Sequence, residues 1–272
     1  MSSQILDGKA VSKEILAEIT RQVASLDPKP GLAVVLVGED PASKVYVNNK
    51  EKACHQVGFY SEKIVLPETV SADELFAVID RLNTDPKIHG ILCQFPLPAK
   101  LRHLESEVIL RINPVKDVDG FHPMSQLIPC TPKGIMELIH RANPDITGLH
   151  AVVMGRSHMV GKPVSRLLLE ADATVTTTHS KTKNTSDLTR QADILVAAIG
   201  KPKLVSSAMV KPGAIVIDVG INRTDSGLVG DVDYDTVKEI ASFITPVPGG
   251  VGPMTIAMLM QNVLTAYHQQ AA

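Results

Sequence analysis

Cysteine is scarce in this chain. Its three residues, Cys54, Cys93 and Cys130, lie far apart with no CxxC pair. An odd, sparse count gives no disulfide framework and fits a reducing compartment. Each thiol is read as a small buried apolar side chain rather than as a nucleophile. The nine histidines contain no HxH or HExxH spacing, so no metal site is expected. Basic clusters are missing as well, and the formal net charge is −2. A nucleic-acid footprint needs clustered Lys and Arg, so that partner class is set aside. No apolar run reaches the roughly 18 residues that a membrane span requires. The longest late run, "TIAMLMQNVL", is interrupted by Gln261 and Asn262. The opening "MSSQILDGKAVSKEI" has no apolar signal core. Together these absences predict a cytoplasmic protein that engages neither nucleic acid nor membrane.

What remains is ordinary for a soluble globular chain: 44% hydrophobic and 21% charged over 272 residues. That length allows one large domain or two small ones. There is no internal repeat and no low-complexity segment. In the first half, Leu32 to Gly38 and Ile88 to Pro98 read as apolar strands. Helical periodicity covers Val11 to Leu26, Lys44 to Val57 and Ala72 to Leu82, with a capping-box spacing from Ser71 to Glu74. From His150 the alternation is more regular. Strands fit "HAVVMG", "ATVTTT", "DILVAAIG", "AIVIDVGI" and "SFITPV", with helices at Pro163 to Glu170 and Ser186 to Gln191. Such near-continuous apolar strands suit a sheet covered on both faces. Between the halves, Thr131 is placed to cap a helix with Pro132 at its first position. A last helix covers about Met254 to Gln269.

The expected fold is therefore α/β in two domains. An N-terminal α/β catalytic domain spans 1–138; periodicity leaves the terminal helix 253–272 open to either half, and it is assigned to this one. A Rossmann-like doubly wound domain spans 139–252.

"GRSHMVGKPVS", Gly155 to Ser165, follows the strand "HAVVM". It is not a triphosphate loop: its glycines are one residue too far apart, and Pro163 replaces the metal-binding hydroxyl. It is also an incomplete dinucleotide fingerprint, since only Gly155 and Gly161 remain. The context still fits, because a strand ends at Gly155 and a helix starts near Pro163. Helix N-terminal N–H groups favour an anion there, and Arg156 and Ser157 add a guanidinium and a hydroxyl. The other reading is a ligand-free strand–helix turn. The next strand discriminates further. An NAD site places a carboxylate about 20 residues after its glycine loop. Here "THSKTK" offers His179, Ser180, Lys181 and Lys183 and no acid. Hydroxyls and cations accept a ribose phosphate, so NADP is the expected cofactor. An exposed basic loop without a ligand is the alternative.

In the first half, "SKVYVNNK" sets Tyr46 and Lys50 at i and i+4, on one face of a helix. Such a pair can relay protons, given burial or neighbouring cations that favour a neutral amine. An ordinary surface helix has the same spacing. Short-chain dehydrogenases also use Tyr–x–x–x–Lys, but there the glycine loop comes first in the chain. "QFPLP" puts Gln94 at the carboxyl end of a strand, where ligands of open α/β sheets bind. "KDVDGFHP" places Asp117 and Asp119 before Gly120. One of them can accept N–H bonds from a heterocycle edge, or the stretch is a polar turn. A calcium loop is excluded, because its downstream Glu is missing. "TPVPGGVGPMT", Thr245 to Thr255, carries enough Pro and Gly to fix a rigid turn that a ligand can approach closely. A linker is the plainer reading.

Taken together, "YVNNK", "QFPLP", "KDVDGF", "CTPKG", "GRSHMVGKP", "HSKT", "DVGIN", "GDVD" and "PVPGGVGPMT" resemble the bifunctional methylenetetrahydrofolate dehydrogenase/methenyltetrahydrofolate cyclohydrolases. They stand in family order over nearly the whole chain. Phe95 departs from the usual Leu, and His158–Met159 vary the loop. The resemblance implies NADP-dependent oxidation of methylene-tetrahydrofolate, then hydrolysis of methenyl- to formyl-tetrahydrofolate. That chemistry belongs to one-carbon metabolism, and it serves purine, methionine and histidine biosynthesis. It implies Lys50 as the acid/base residue, Tyr46 stacked along the folate, Gln94 as partner of Lys50 and Asp119 as pterin anchor. It also implies a cleft between the two domains, which Pro248, Gly249 and Gly250 would wall. Gly155, Arg156, Ser157, Ser180 and Ile221 would hold NADP. The resemblance further implies tetrahydrofolate derivatives as partners and a homodimer paired through the nucleotide domain. Two other readings stay open on the residues alone: a dehydrogenase of a small acid with the same domain order, and a non-catalytic NADP-binding regulator.

Overall fold

A computed structural model describes residues 3–225 and 227–271. The chain divides into two compact units. One comprises the chain up to Ser12 together with Thr131–Thr255; the other comprises Lys13–Cys130 and the chain from Ile256 onward. The first residues thus group with the second half of the sequence.

The chain opens with a two-residue strand, β1 (Gln4–Ile5), followed by α1 (Gly8–Val23). The unit containing Lys50 is then built from β2 (Gly31–Val37), α2 (Pro41–Val57), β3 (Tyr60–Leu66), α3 (Ala72–Thr84), β4 (Gly90–Cys93) and α4 (Glu105–Arg111). Its sheet is parallel, in the order β3-β2-β4. Central β2 is buried at every residue, whereas β3 alternates between exposed and half-buried. That alternation explains why β3 escapes a search for continuous apolar runs: an edge strand needs only one covered face. β4 is shorter than the stretch from Ile88 to Pro98 suggests. Pro96 and Pro98 have no N–H to give to a ladder, so pairing stops early. On α3, Leu75, Ile79 and Leu82 are fully buried at helical spacing. Ser71 and Glu74 close the capping box.

The other unit continues with α5 (Cys130–Ala142), β5 (His150–Met154), α6 (Gly161–Glu170), β6 (Thr174–Thr178), α7 (Thr185–Thr189), β7 (Ile194–Ala197) and β8 (Ile215–Asp218). A hairpin of β9 (Asn222–Thr224) and β10 (Gly227–Val229) follows, then α8 (Tyr234–Val237), β11 (Phe243–Ile244) and α9 (Val251–Ala271). All pairings of its main sheet are parallel, in the order β1-β11-β8-β7-β5-β6. Apart from β1, this is the doubly wound order 2-1-3-4-5, whose direction reverses between β5 and β7. β6 lies at the edge, which accounts for its threonines.

Several boundaries differ from the sequence reading. α5 begins at Cys130, so Thr131 is already helical rather than a cap. α6 begins at Gly161, two residues before Pro163. β11 has two residues instead of six, because Pro246 and Pro248 cannot extend the ladder. α9 starts at Val251, so the last part of the Pro/Gly-rich stretch is helix rather than turn. The short β1 and the β9–β10 hairpin have too few residues to show a period. From Ile256 onward α9 packs within the Lys50 unit. Asn262 Nδ2 donates to Val118 O and Ile128 O at 3.0 and 2.9 Å, and Gln270 Nε2 donates to His89 O at 2.8 Å.

Candidate active site

α2 is fixed at both ends. Asp40 caps its N-terminus by accepting the Ser43 N–H at 2.7 Å, with Pro41 in the first turn. Gly58 closes its C-terminus in the left-handed region, with its N–H on the carbonyls of Cys54 and His55. A rigid helix carries Lys50 to a defined place: Lys50 Nζ donates to Gln94 Oε1 at 2.9 Å. Gln94 is held in turn. Its backbone N–H donates to Val35 O at the end of the β2–β4 ladder, and its Nε2 donates to Phe95 O at 2.7 Å. Lys50 and Gln94 are both half-buried, while Tyr46, one turn earlier on α2, is 41% exposed. An amide oxygen on the amine and an open phenol beside it lie at the carboxyl edge of a parallel sheet, where open α/β sheets take ligands.

The two aspartates of "KDVDGF" separate by role. Asp117 lies beside β4 through a bridge with Ile91. Its carboxylate accepts the N–H groups of Gly120 at 3.2 Å and His122 at 2.8 Å, so it builds the turn. Asp119 interacts instead with the Cys130 thiol and the charge of Lys50. Desolvation pushes its carboxyl up to about 6, against the pull of Lys50 and with repulsion from Asp117 added. Lys50, Gln94 and Asp119 therefore belong to one constellation. Cys93, at the end of β4, is pushed up to about 12 by burial and stays a protonated thiol. Asn262 escaped sequence reasoning: it pins both ends of the loop that carries Asp119 from a helix 144 residues away, and no local signal marks such a contact.

In the other unit, Gly155 ends β5 with φ +121, and a Cβ there would lie 2.1 Å from Ala198 O, just past β7. Gly161 opens α6, where a Cβ would lie 2.2 Å from Gly155 O. These two positions of the dinucleotide fingerprint are thus set by backbone packing at the switch point. Between them, where the fingerprint has its middle glycine, Ser157 braces the turn. Its hydroxyl accepts the N–H groups of Val160 and Gly161 at 3.2 and 3.3 Å. The hydroxyl proton remains for an anion. Arg156 is exposed at the tip. Ser180 is exposed in the turn after β6, which the Thr182 hydroxyl organises by accepting the His179 N–H. Ile221, 47% exposed, follows β8. Pro248, Gly249 and Gly250 also fall in this unit, where Gly249 O accepts the Lys9 N–H at 3.0 Å. A dinucleotide fits this chemistry: a glycine turn at a sheet switch point, a helix N-terminus and a cationic tip. Among the described residues, no cluster of His, Cys, Asp or Glu is arranged to hold a metal ion, and no helix is long and apolar enough to cross a membrane.

These features define a two-unit α/β enzyme with a nicotinamide-dinucleotide domain. Residues 6–119 match the family model for the tetrahydrofolate dehydrogenase/cyclohydrolase catalytic domain, and residues 129–271 match that for its NAD(P)-binding domain. The chain is 52% identical over 278 residues to the bifunctional protein FolD of Halalkalibacterium halodurans, covering 98% of this chain and 99% of that one. The crystal structure of the bifunctional FolD methylenetetrahydrofolate dehydrogenase/cyclohydrolase of Campylobacter jejuni superposes with a TM-score of 0.95 at 45% identity, covering 99% and 100% of the two chains. The Trypanosoma brucei enzyme, solved with NADP cofactor and an inhibitor, gives 0.92 at 37% identity over 100% of this chain and 99% of that one. The chain belongs to the tetrahydrofolate dehydrogenase/cyclohydrolase family.

Proposed function

We propose the following division of labour for the two activities of this chain. It is a bifunctional enzyme of one-carbon metabolism: it oxidises methylene-tetrahydrofolate to methenyl-tetrahydrofolate, then hydrolyses methenyl- to formyl-tetrahydrofolate. NADP, when bound, accepts the hydride from the bridging methylene carbon. Gly155, Arg156 and Ser157 hold its phosphates, Ser180 its ribose phosphate, and Ile221 lies along it. Tyr46 stacks on the folate and Asp119 anchors the pterin edge. Pro248, Gly249 and Gly250 wall the substrate. Planar rings need alignment more than covalent help, so positioning carries the oxidation.

Lys50 carries the hydrolysis. Water adds to the cationic methenyl carbon and must lose a proton. Lys50 Nζ takes that proton as an uncharged amine, the form favoured beside a cationic methenyl carbon, and Gln94 Oε1 keeps the amine aimed at the carbon. The observation that supports this reading is the 2.9 Å bond between Lys50 Nζ and Gln94 Oε1. A non-catalytic regulator has no use for this grouping, and the match to both family domains sets the small-acid dehydrogenase aside.

The catalytic domain, 1–138 with 253–272, and the dinucleotide domain, 139–252, are the functional division we infer. We place the enzyme in the cytoplasm as a homodimer paired through the nucleotide domain, supplying purine, methionine and histidine biosynthesis, with no nucleic-acid or membrane partner. The test is a coupled assay with methylene-tetrahydrofolate and NADP. Reduced cofactor and formyl-tetrahydrofolate should appear in equal amounts after a transient of methenyl product. Cofactor reduction without any formyl product would remove the second activity.

A further inference from the structure

Two fully enclosed carboxylates of the nucleotide unit touch neither of the assigned sites. Asp231 is 0% exposed and Asp218 is 3% exposed. Asp231 collects three consecutive backbone N–H groups from the turn after β7: Ile199 at 2.6 Å, Gly200 at 2.9 Å and Lys201 at 2.9 Å. A fourth donor is Asn222 Nδ2 at 2.9 Å, from the residue next to Ile221. Asp218, at the end of β8, holds Asp231 in turn. It accepts the N–H groups of Asp231 at 2.9 Å and Val232 at 3.0 Å, and that of Gly220 at 3.0 Å. The arrangement admits no side chain on either facing glycine. A Cβ on Gly220 would lie 2.3 Å from an Asp231 oxygen, and one on Gly230 would lie 1.8 Å from an Asp218 oxygen.

The donors that Asp231 gathers belong to turns at the carboxyl edge of the sheet. Exposed turns of this kind satisfy their N–H groups with water at little cost. Enclosing a carboxylate to do so costs solvation, and the charge-assisted bonds that offset it fix the turn geometry. The turn it fixes is the one that faces Gly155, since Ala198 O is the atom a Gly155 side chain would strike. We propose that Asp231 is a positioning residue of the dinucleotide site, locking the 199–201 turn and the Ile221–Asn222 segment into one wall. This rests on the reading that Gly155–Ser157 and Ile221 hold NADP.

In Asp231→Asn an amide NH2 replaces one acceptor oxygen and faces backbone N–H groups. NADP dissociation constants measured by titration should rise at least tenfold, and dehydrogenase turnover should fall at saturating NADP. Hydrolysis of methenyl-tetrahydrofolate supplied directly, without cofactor, should stay within twofold. Unchanged NADP affinity would overturn the proposal. So would a parallel loss of both activities with a lowered melting temperature, because that is a merely structural role. If Asp231→Asn does not fold, Asn222→Ala decides. It removes one donor from the half-buried surface and should weaken NADP about threefold, again with hydrolysis intact; no change overturns the proposal. Arg156→Ala, titrated alongside, separates the two levels. If it leaves NADP affinity unchanged, the assignment of the cofactor site fails, whatever Asp231 does.

Discussion

Asp119 is a carboxyl that burial holds near 6, well above the ordinary aspartate value near 3.9. Between those values the folded protein binds a proton that the unfolded chain has released. Its stability contribution is therefore fully present below the lower value and is lost as pH rises through the upper one. Asparagine at this position cannot titrate. Asp119→Asn should gain stability relative to the parent as pH rises from 4 to 7, read from urea denaturation at each pH. A pH-independent difference would contradict the origin of the shift. Function should move the other way: Asp119→Ala should raise the folate Michaelis constant while leaving that of NADP within twofold. The local motif left Asp117 and Asp119 interchangeable, because both precede the same glycine, and only the family resemblance singled out Asp119. The backbone distinguishes them by giving its N–H groups to Asp117. Lys50 and Gln94 are 44 residues apart, so no spacing rule joins them; only a resemblance over the whole motif set does.

Helices whose signals lie within a single turn were readable in detail. Ser71 and Glu74 form the box their spacing announces, and Ser71→Ala should cost about 1 kcal/mol in denaturant unfolding with activity unchanged. α6 is the opposite case. Its start at Gly161 is set by contact with Gly155 O, which belongs to a different strand end. Gly161→Ala must displace that backbone, so NADP affinity should drop at least tenfold in titration. An unchanged affinity would mean that the turn has room to relax. Strands were legible in proportion to burial. β2, β5, β7 and β8 are covered on both faces and read as apolar runs. Edge strand β3 alternates and did not. β1 is too short to carry a pattern and is defined by its pairing with β11, which the run "SFITPV" did announce, though at greater length.

The assembly of two units from an interleaved chain was the least legible feature. Residues up to Ser12 join the later unit because β1 pairs with β11, while the chain from Ile256 onward joins the earlier one. The β1–β11 pairing joins residues more than two hundred positions apart, which periodicity does not encode. Cofactor choice, in contrast, was written locally in "THSKTK". NADP should bind at least tenfold more tightly than NAD in parallel titrations, since no carboxylate stands after β6 to repel a ribose phosphate. Equal affinities would refute that inference. Hydrolysis by this enzyme depends on one amine. The decisive measurement is the hydrolysis rate of Lys50→Met on methenyl-tetrahydrofolate added directly, with NADP affinity titrated on the same preparation. A proton acceptor is worth roughly a hundredfold or more, so hydrolysis should fall at least that far while NADP binds as before. Hydrolysis within a few-fold of the parent would show that the proton leaves by another route.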